Sequence, residues 1–205
     1  MGRVRLDVEA GDRSEIMAAE IVRTEVVYSG WTKLAIATIR LPQGQIVRRE
    51  IEDHGSAVCV LPYSPERKAA VLVRQFRAPV FLAERQEETL EAIAGVIEEA
   101  DPKDSVRREA LEEAGLVLGE VEHVLTGWTM PGISMERMHF YLSVYRDQVF
   151  SKAAGGVATE SEPTTAVEIA LGELAQMADS GRLVDVKTML LVQTLRIRLP
   201  WLFAR

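Results

Sequence analysis

Arg108, Glu109, Glu112 and Glu113 fall within six residues, and Gly115 closes the run. At about 100° per residue on a helix, Glu109 and Glu113 lie one turn apart and point much the same way, with Glu112 further round. On a plain surface helix, carboxylates at that spacing repel each other. A divalent cation reverses the sign. Hard oxygen ligands on one rigid face suit Mg²⁺ or Mn²⁺, which bind through a few carboxylates and the phosphate oxygens of a substrate. Arg108, four residues before Glu112, can hold that carboxylate in place. A solvated glutamate-rich face is the competing reading, and the surrounding residues decide between them.

The helix that must carry these groups has clear ends. Asp101 precedes Pro102, an N-cap followed by proline at the first helical position, where its missing N–H costs nothing. Asp104 occupies the slot of a capping box, and Gly115 is a C-terminal stop. The pattern predicts a helix over 102–114. Ala110, Ala114 and Leu111 cover its apolar side, with Val106 at the edge.

Upstream, AEIVRTEVVYS, KLAIATIRLP and QIVRREIED read as an antiparallel meander, punctuated at Ser29-Gly30 and Pro42-Gln43-Gly44. SAVCVLPYS and KAAVLVRQFR follow as two strands joined by Pro62-Tyr63-Ser64-Pro65, and EETLEAIAGVI carries a strand into Gly95. After the helix come strands near 120–127 and 137–147, a Gly/Ser/Thr-rich loop over 153–165, a strand at AVEIA, and helices in LGELAQMADSGR and DVKTMLLVQTLRIRL. Residues 1–18 read as a frayed lead-in. This order points to an α+β fold, an α/β/α sandwich with a mixed sheet plus an N-terminal antiparallel β region. The division expected is 1–55 for that β region, a candidate dimerisation element, and 56–205 for the main domain.

The net charge of −7, with no basic run, argues against nucleic acid as a partner. The single Cys59 sits in an apolar strand and reads as a core thiol, which fits a reducing, cytoplasmic setting. No apolar run approaches the roughly 18 residues that span a bilayer, so no membrane is expected. The C-terminal IRLPWLFAR reads as a tail that docks on the domain or a partner. His54, His123 and His139 lack ligand spacing, and His139 reads as structural.

Gly95, Arg108, Glu109, Ala110, Glu112, Glu113, Gly115 and Leu116 together resemble the Nudix box, Gly-x5-Glu-x7-Arg-Glu-U-x-Glu-Glu-x-Gly-U, where U is aliphatic. Asp101 stands at the first Glu, and the span to Arg108 is one residue short, before the metal-binding triplet begins. The resemblance is closest to the GDP-mannose/ADP-ribose pyrophosphatase branch of Nudix hydrolases. It implies metal-dependent hydrolysis of a nucleoside diphosphate sugar, of GDP-mannose or ADP-ribose type, to a nucleoside monophosphate and a sugar phosphate. It also implies a homodimer. The shortened box, the AGGV…E-x-E loop and Asp185-Val186-Lys187-Thr188 tilt the expectation towards GDP-mannose. A non-catalytic nucleotide-sugar sensor is the alternative, which the intact carboxylate cluster opposes.

The resemblance also implies roles for individual residues. Glu109, Glu113 and Glu112, with the Ala94 backbone carbonyl, are metal ligands, for Mg²⁺ or in its place Mn²⁺. Glu162, with Glu160 as the alternative, orients or deprotonates the attacking water, and Glu112 and Arg108 support catalysis. Arg74 and Arg77 in Arg74-Gln75-Phe76-Arg77 are candidates for the diphosphate. They are three apart and on a regular strand face opposite ways, which favours Arg74 unless the strand ends before Arg77. Glu91 is a candidate substrate contact, against a plain exposed strand residue. Pro131, sixteen residues after Gly115, resembles the marker of the ADP-ribose-type branch. Glu136 beyond it is either a polar group at the site or a solvated loop residue.

Overall fold

The structure is a computed structural model and describes residues 18–145 and 164–204. Those residues form two units, one of residues 18–54 with Met130–Met135, the other of residues 55–129 with 136–204.

In the N-terminal unit, β1 (Glu20–Ser29), β2 (Lys33–Arg40) and β3 (Ile46–Asp53) make an antiparallel sheet in that order. Both expected turns are present. Gly44 adopts φ +83°, and the N–H of Leu41 donates to the Gln45 carbonyl at 2.8 Å across the β2–β3 hairpin. A left-handed residue is what such a tight turn demands, and glycine supplies it without steric cost. All of β1 is exposed.

The second unit is built on a sheet ordered β10-β5-β4-β9-β8, with β6 on β5 and β7 on β4. Its strands are β4 (Ala57–Ser64), β5 (Ala69–Gln75), β6 (Thr89–Glu91), β7 (Ile93–Val96), β8 (Val121–Trp128), β9 (Arg137–Val144) and β10 (Thr165–Ala170). Only β4 and β9 run parallel, so the sheet is mixed. α1 (Ala78–Glu84), a short helix, follows β5. α2 (Pro102–Ala114) covers one face, where Val106, Ala110 and Ala114 meet Val58, Val60, Val71, Val73 and Ile93. α3 (Leu171–Asp179) and α4 (Val186–Arg198) cover the other, where Leu171, Leu174, Leu191 and Leu195 meet Leu61, Leu72 and Leu142. Each fully buried leucine contributes roughly 1.5–3 kcal/mol. The α+β sandwich with a mixed sheet is the expected fold. Cys59 is a buried core thiol, as its strand predicts, and burial pushes its pKa up.

Four details differ from the expectation. Pro62 and Tyr63 lie inside β4, and the reversal falls at 65–68, where Lys68 takes φ 46°. The strand into Gly95 breaks at Ala92, because β6 pairs with β5 and β7 with β4. α1 is an element that the alternation of its neighbours did not suggest. On α2, Val106 is fully buried and Leu111 is 54% exposed. The buried arc of that helix runs from Glu109 through Glu113 and Val106 to Ala114, which leaves Leu111 outside it.

The apolar C-terminal stretch docks on its own unit. Leu202, in a 3-10 turn at Pro200–Leu202, is buried in the main core, while Trp201 is exposed. Among the described residues no helix is long and apolar enough to cross a membrane.

Candidate functional site

α2 has the ends its sequence predicts. Asp101 caps it by accepting from the Lys103 N–H at 2.9 Å, and Gly115 closes it at φ 64°. The site then depends on how closely α2 can approach β7. Ala110 and Ala114 keep the helix near the sheet, and Gly95 on β7 leaves space for the Glu109 carboxylate. A Cβ at Gly95 would overlap all three heavy atoms of that carboxyl group. Gly95 is therefore the second half of the Glu109 position.

Arg108 is the hub of the acidic cluster. Its guanidinium donates to Glu112 at 2.9 Å, to Glu99 at 2.7 Å and to the Val96 carbonyl at 3.3 Å, and it pairs with Glu109 at 2.9 Å. The contact to Glu112 is the one its i,i+4 spacing implies. Glu99 is a partner that the motif count missed. It also accepts from the Ser105 hydroxyl, so it ties the loop before α2 to two turns of the helix. In this chain the capping role at Asp101 and the contact to Arg108 belong to two different acids. Ser105 and Arg108, three apart and facing one side beside Glu98-Glu99, were the available signal.

Glu113 lies one turn further along the same face of α2. Burial first, and then the nearby Glu109 charge, raise its pKa to about 8, against a backbone hydrogen bond from Ala94 and the charge of Arg77. Its Oε2 is buried and has no hydrogen-bond partner among the described residues. No three His, Cys, Asp or Glu side chains among the described residues converge as a preformed cage. Two facing carboxylates, one with an unbonded buried oxygen, are nevertheless an all-oxygen donor set of the kind that Mg²⁺ or Mn²⁺ completes with phosphate and water. The residues present fit such an ion.

A cationic group flanks this pair. β5 ends at Gln75, so Arg77 stands beyond it as the N-cap of α1 and escapes the strand alternation. It grips Glu91 with two hydrogen bonds of 2.8 Å. Glu91 is 3% exposed, not a plain exposed strand residue. Burial opposes its charge, but the Arg77 hydrogen bonds and the Lys187 charge outweigh burial and hold its pKa at about 2. Lys187 lies 3.2 Å from Glu91 and 2.7 Å from Asp185. Asp185 caps α4 and accepts from Thr188, whose hydroxyl oxygen accepts from the Ala92 N–H at 2.6 Å. The break between β6 and β7 is thereby satisfied by α4.

Arg74, by contrast, is exposed and pairs across the sheet with Leu90 and Thr165, while its side chain has no hydrogen-bond or ion-pair partner among the described residues. The structure brings Arg77, not Arg74, into the network with Glu91. Glu136, just before β9, is held by the Thr129 hydroxyl. His139 lies in β9, bonded to Thr126 at 3.0 Å. Glu160 and Glu162, the 153–163 part of their loop, and the lead-in over 1–17 lie outside the described residues.

A helix bearing Arg-Glu…Glu-Glu against a sheet, facing a glycine that accommodates one carboxylate, defines the class. Residues 53–185 match the NUDIX domain model, and the chain belongs to the Nudix family. It is a Nudix hydrolase. It is 32% identical over 184 residues to the GDP-mannose pyrophosphatase of Pectobacterium atrosepticum, covering 87% of this chain and 94% of that one. It is 34% identical over 157 residues to the GDP-mannose pyrophosphatase of Salmonella arizonae, covering 75% and 81%. Among solved structures, one titled as an ADP compounds hydrolase shares the fold at TM-score 0.72 and 14% identity, over 91% of this chain and 96% of that one.

Proposed function

We propose that this enzyme hydrolyses the diphosphate bond of GDP-mannose, or of a close nucleoside diphosphate sugar, to a nucleoside monophosphate and a sugar phosphate. The observation that carries the metal-assisted reading is the buried, unbonded Oε2 of Glu113 beside Glu109. GDP-mannose is favoured by the relatives named above, which bear that substrate in their names.

Glu109 and Glu113 hold Mg²⁺, or Mn²⁺ in its place, with Glu112 and the Ala94 carbonyl assisting. A bound divalent ion supplies neutralisation of phosphate-oxygen charge and acidification of water. The chain's own residues do the rest. Arg108 fixes Glu109 and Glu112 through its fork of hydrogen bonds, as outer partners of metal ligands do. Arg77, oriented by Glu91, offers positive charge to the departing phosphate, and Arg74 is the second candidate for the diphosphate. Glu136 contacts the substrate. Glu162, with Glu160 as the alternative, takes the proton of the attacking water.

The N-terminal β region, over residues 1–55, is assigned to homodimer formation. Its support is β1, where Ile21, Val22, Val26, Val27 and Tyr28 are exposed apolar residues on one strand. Light scattering of the purified protein should return twice the 22.8 kDa chain mass; a monomer at micromolar concentration would remove that assignment.

The test of substrate is product analysis with Mg²⁺ on GDP-mannose, ADP-ribose and ADP-glucose side by side. GMP and mannose 1-phosphate as the preferred products support the reading. Preferred AMP and ribose 5-phosphate would move the substrate and keep the chemistry. Tight binding without turnover would replace an enzyme by a sensor.

A further inference from the structure

We infer that Thr188 is a positioning residue for the carboxylate of Glu113, acting through the Ala92 N–H that its hydroxyl oxygen accepts. The inference rests on the reading of Glu113 as a metal ligand.

The need for such a residue arises in the sheet. β4 and β5 pair only beside their shared turn, Tyr63 with Ala70 and Ser64 with Ala69. Beyond that point β6 has β5 as its neighbour as far as Glu91, and β7 has β4 from Ile93 onward. Ala92, where the chain changes neighbour, is fully buried. A buried N–H left without an acceptor costs about 1–3 kcal/mol, so the crossing needs an acceptor from outside the two ladders. Thr188, itself fully buried, supplies one at 2.6 Å.

Asp185 decides which way the Thr188 hydroxyl faces. Its Oδ2 accepts from the Thr188 N–H at 2.9 Å and from the hydroxyl at 2.5 Å. With the hydroxyl proton committed there, an oxygen lone pair is left for Ala92. The other carboxylate oxygen of Asp185 holds Lys187 at 2.7 Å, and Lys187 reaches Glu91 at 3.2 Å. The start of α4 thus grips two successive residues of the crossing, Glu91 by its side chain and Ala92 by its backbone.

Two residues beyond Ala92, the Ala94 N–H donates to Glu113. Gly95, next along, leaves the space that the Glu109 carboxylate fills. Two strand residues span only about 6–7 Å, so a shift at Ala92 carries through to the amide that Glu113 accepts. Groups standing behind metal ligands are worth about 10–100-fold in affinity or activity. Thr188 acts through one further stretch of backbone, which places it at the lower end.

The test measures Mn²⁺ binding to the full chain without substrate, by the paramagnetic resonance of the free ion, beside amide hydrogen exchange. Thr188→Val keeps the side-chain shape and removes the acceptor. It should weaken Mn²⁺ binding about tenfold and speed exchange at Ala94 at least tenfold. Thr188→Ser keeps the hydroxyl and should return both to within threefold of the parent. Val192→Ala, one turn along α4 in the same core, controls for lost stability and should bind Mn²⁺ within twofold of the parent. Parental Mn²⁺ affinity in Thr188→Val, a Thr188→Ser protein as impaired as Thr188→Val, or an equal loss in Val192→Ala would each overturn the proposal. Thr188→Ala, whose smaller side chain admits water to the Ala92 N–H, decides on the same terms if Thr188→Val does not fold. Parental Mn²⁺ affinity in Glu113→Gln would remove the premise. Weakened binding in Glu113→Gln beside parental binding in Thr188→Val would defeat this proposal while leaving that reading in place.

Discussion

Gly95→Ala separates the position of a carboxylate from the stability of the fold. Gly95 does not have a left-handed backbone, so alanine is sterically permitted by its φ. The nearest atoms that the added methyl would meet are those at the end of the Glu109 side chain. That side chain can swing, so the sheet and α2 need not part. To restore van der Waals contact the carboxylate must retreat by about 1 Å or more, a misplacement associated with roughly 10²-fold losses in rate. The swing also strains its 2.9 Å pair with Arg108. Set against this, alanine for glycine at a permitted position stabilises by about 0.4–1 kcal/mol through the unfolded chain. The expected outcome is kcat/KM reduced about a hundredfold with a melting temperature within a few degrees of the parent. Gly172→Ala, where a Cβ meets open space, serves as the control and should leave activity unchanged. A Gly95→Ala enzyme within threefold of the parent would refute the reasoning, as would a loss of activity that merely follows unfolding.

Two other perturbations follow from the same geometry. Arg108→Lys exchanges a planar fork for a point charge. It cannot keep Glu99, Glu112 and the Val96 carbonyl together, so kcat should fall about 10–100-fold, measured at saturating Mg²⁺ to exclude weakened metal binding. Glu91 titrates well below an ordinary carboxyl, so its contribution to stability is present above pH 4.5 and is lost as pH falls from there towards about 2. The shift corresponds to roughly 3 kcal/mol. Urea melts between pH 6 and pH 3 should show about 2 kcal/mol of that loss, and Glu91→Gln should flatten it; an equal slope in the variant would show that other groups carry the acid sensitivity.

Much of the site is legible in the spacing of residues 95–116. The limits of α2 follow from Asp101, Pro102 and Gly115 because caps are local chemistry. The mutual direction of Glu109 and Glu113 follows from helical period. What period cannot show is which arc of a helix the rest of the chain buries. Leu111 counts as apolar in any pattern, yet the sheet meets the arc centred on Val106 and Ala110. Glu99 escaped because it acts from a loop, where distance along the chain says little about distance in space. Its bond to Arg108 depends on how the shortened connection folds back. The burial of Glu91 and the standing of Arg77 depend on a strand ending at Gln75 and on α4, 96 residues on in sequence, returning Lys187 and Thr188 to the same place.

The most direct test of the central claim is turnover of GDP-mannose by Glu113→Gln over a Mg²⁺ titration, with the far-ultraviolet circular dichroism and melting temperature recorded on the same sample. The buried Oε2 beside Glu109 makes Glu113 the carboxylate whose charge a cation requires most. The account predicts a fold that is intact, and no less stable than the parent without metal, with turnover lowered by orders of magnitude at every Mg²⁺ concentration. Near-parental turnover in that variant would contradict it.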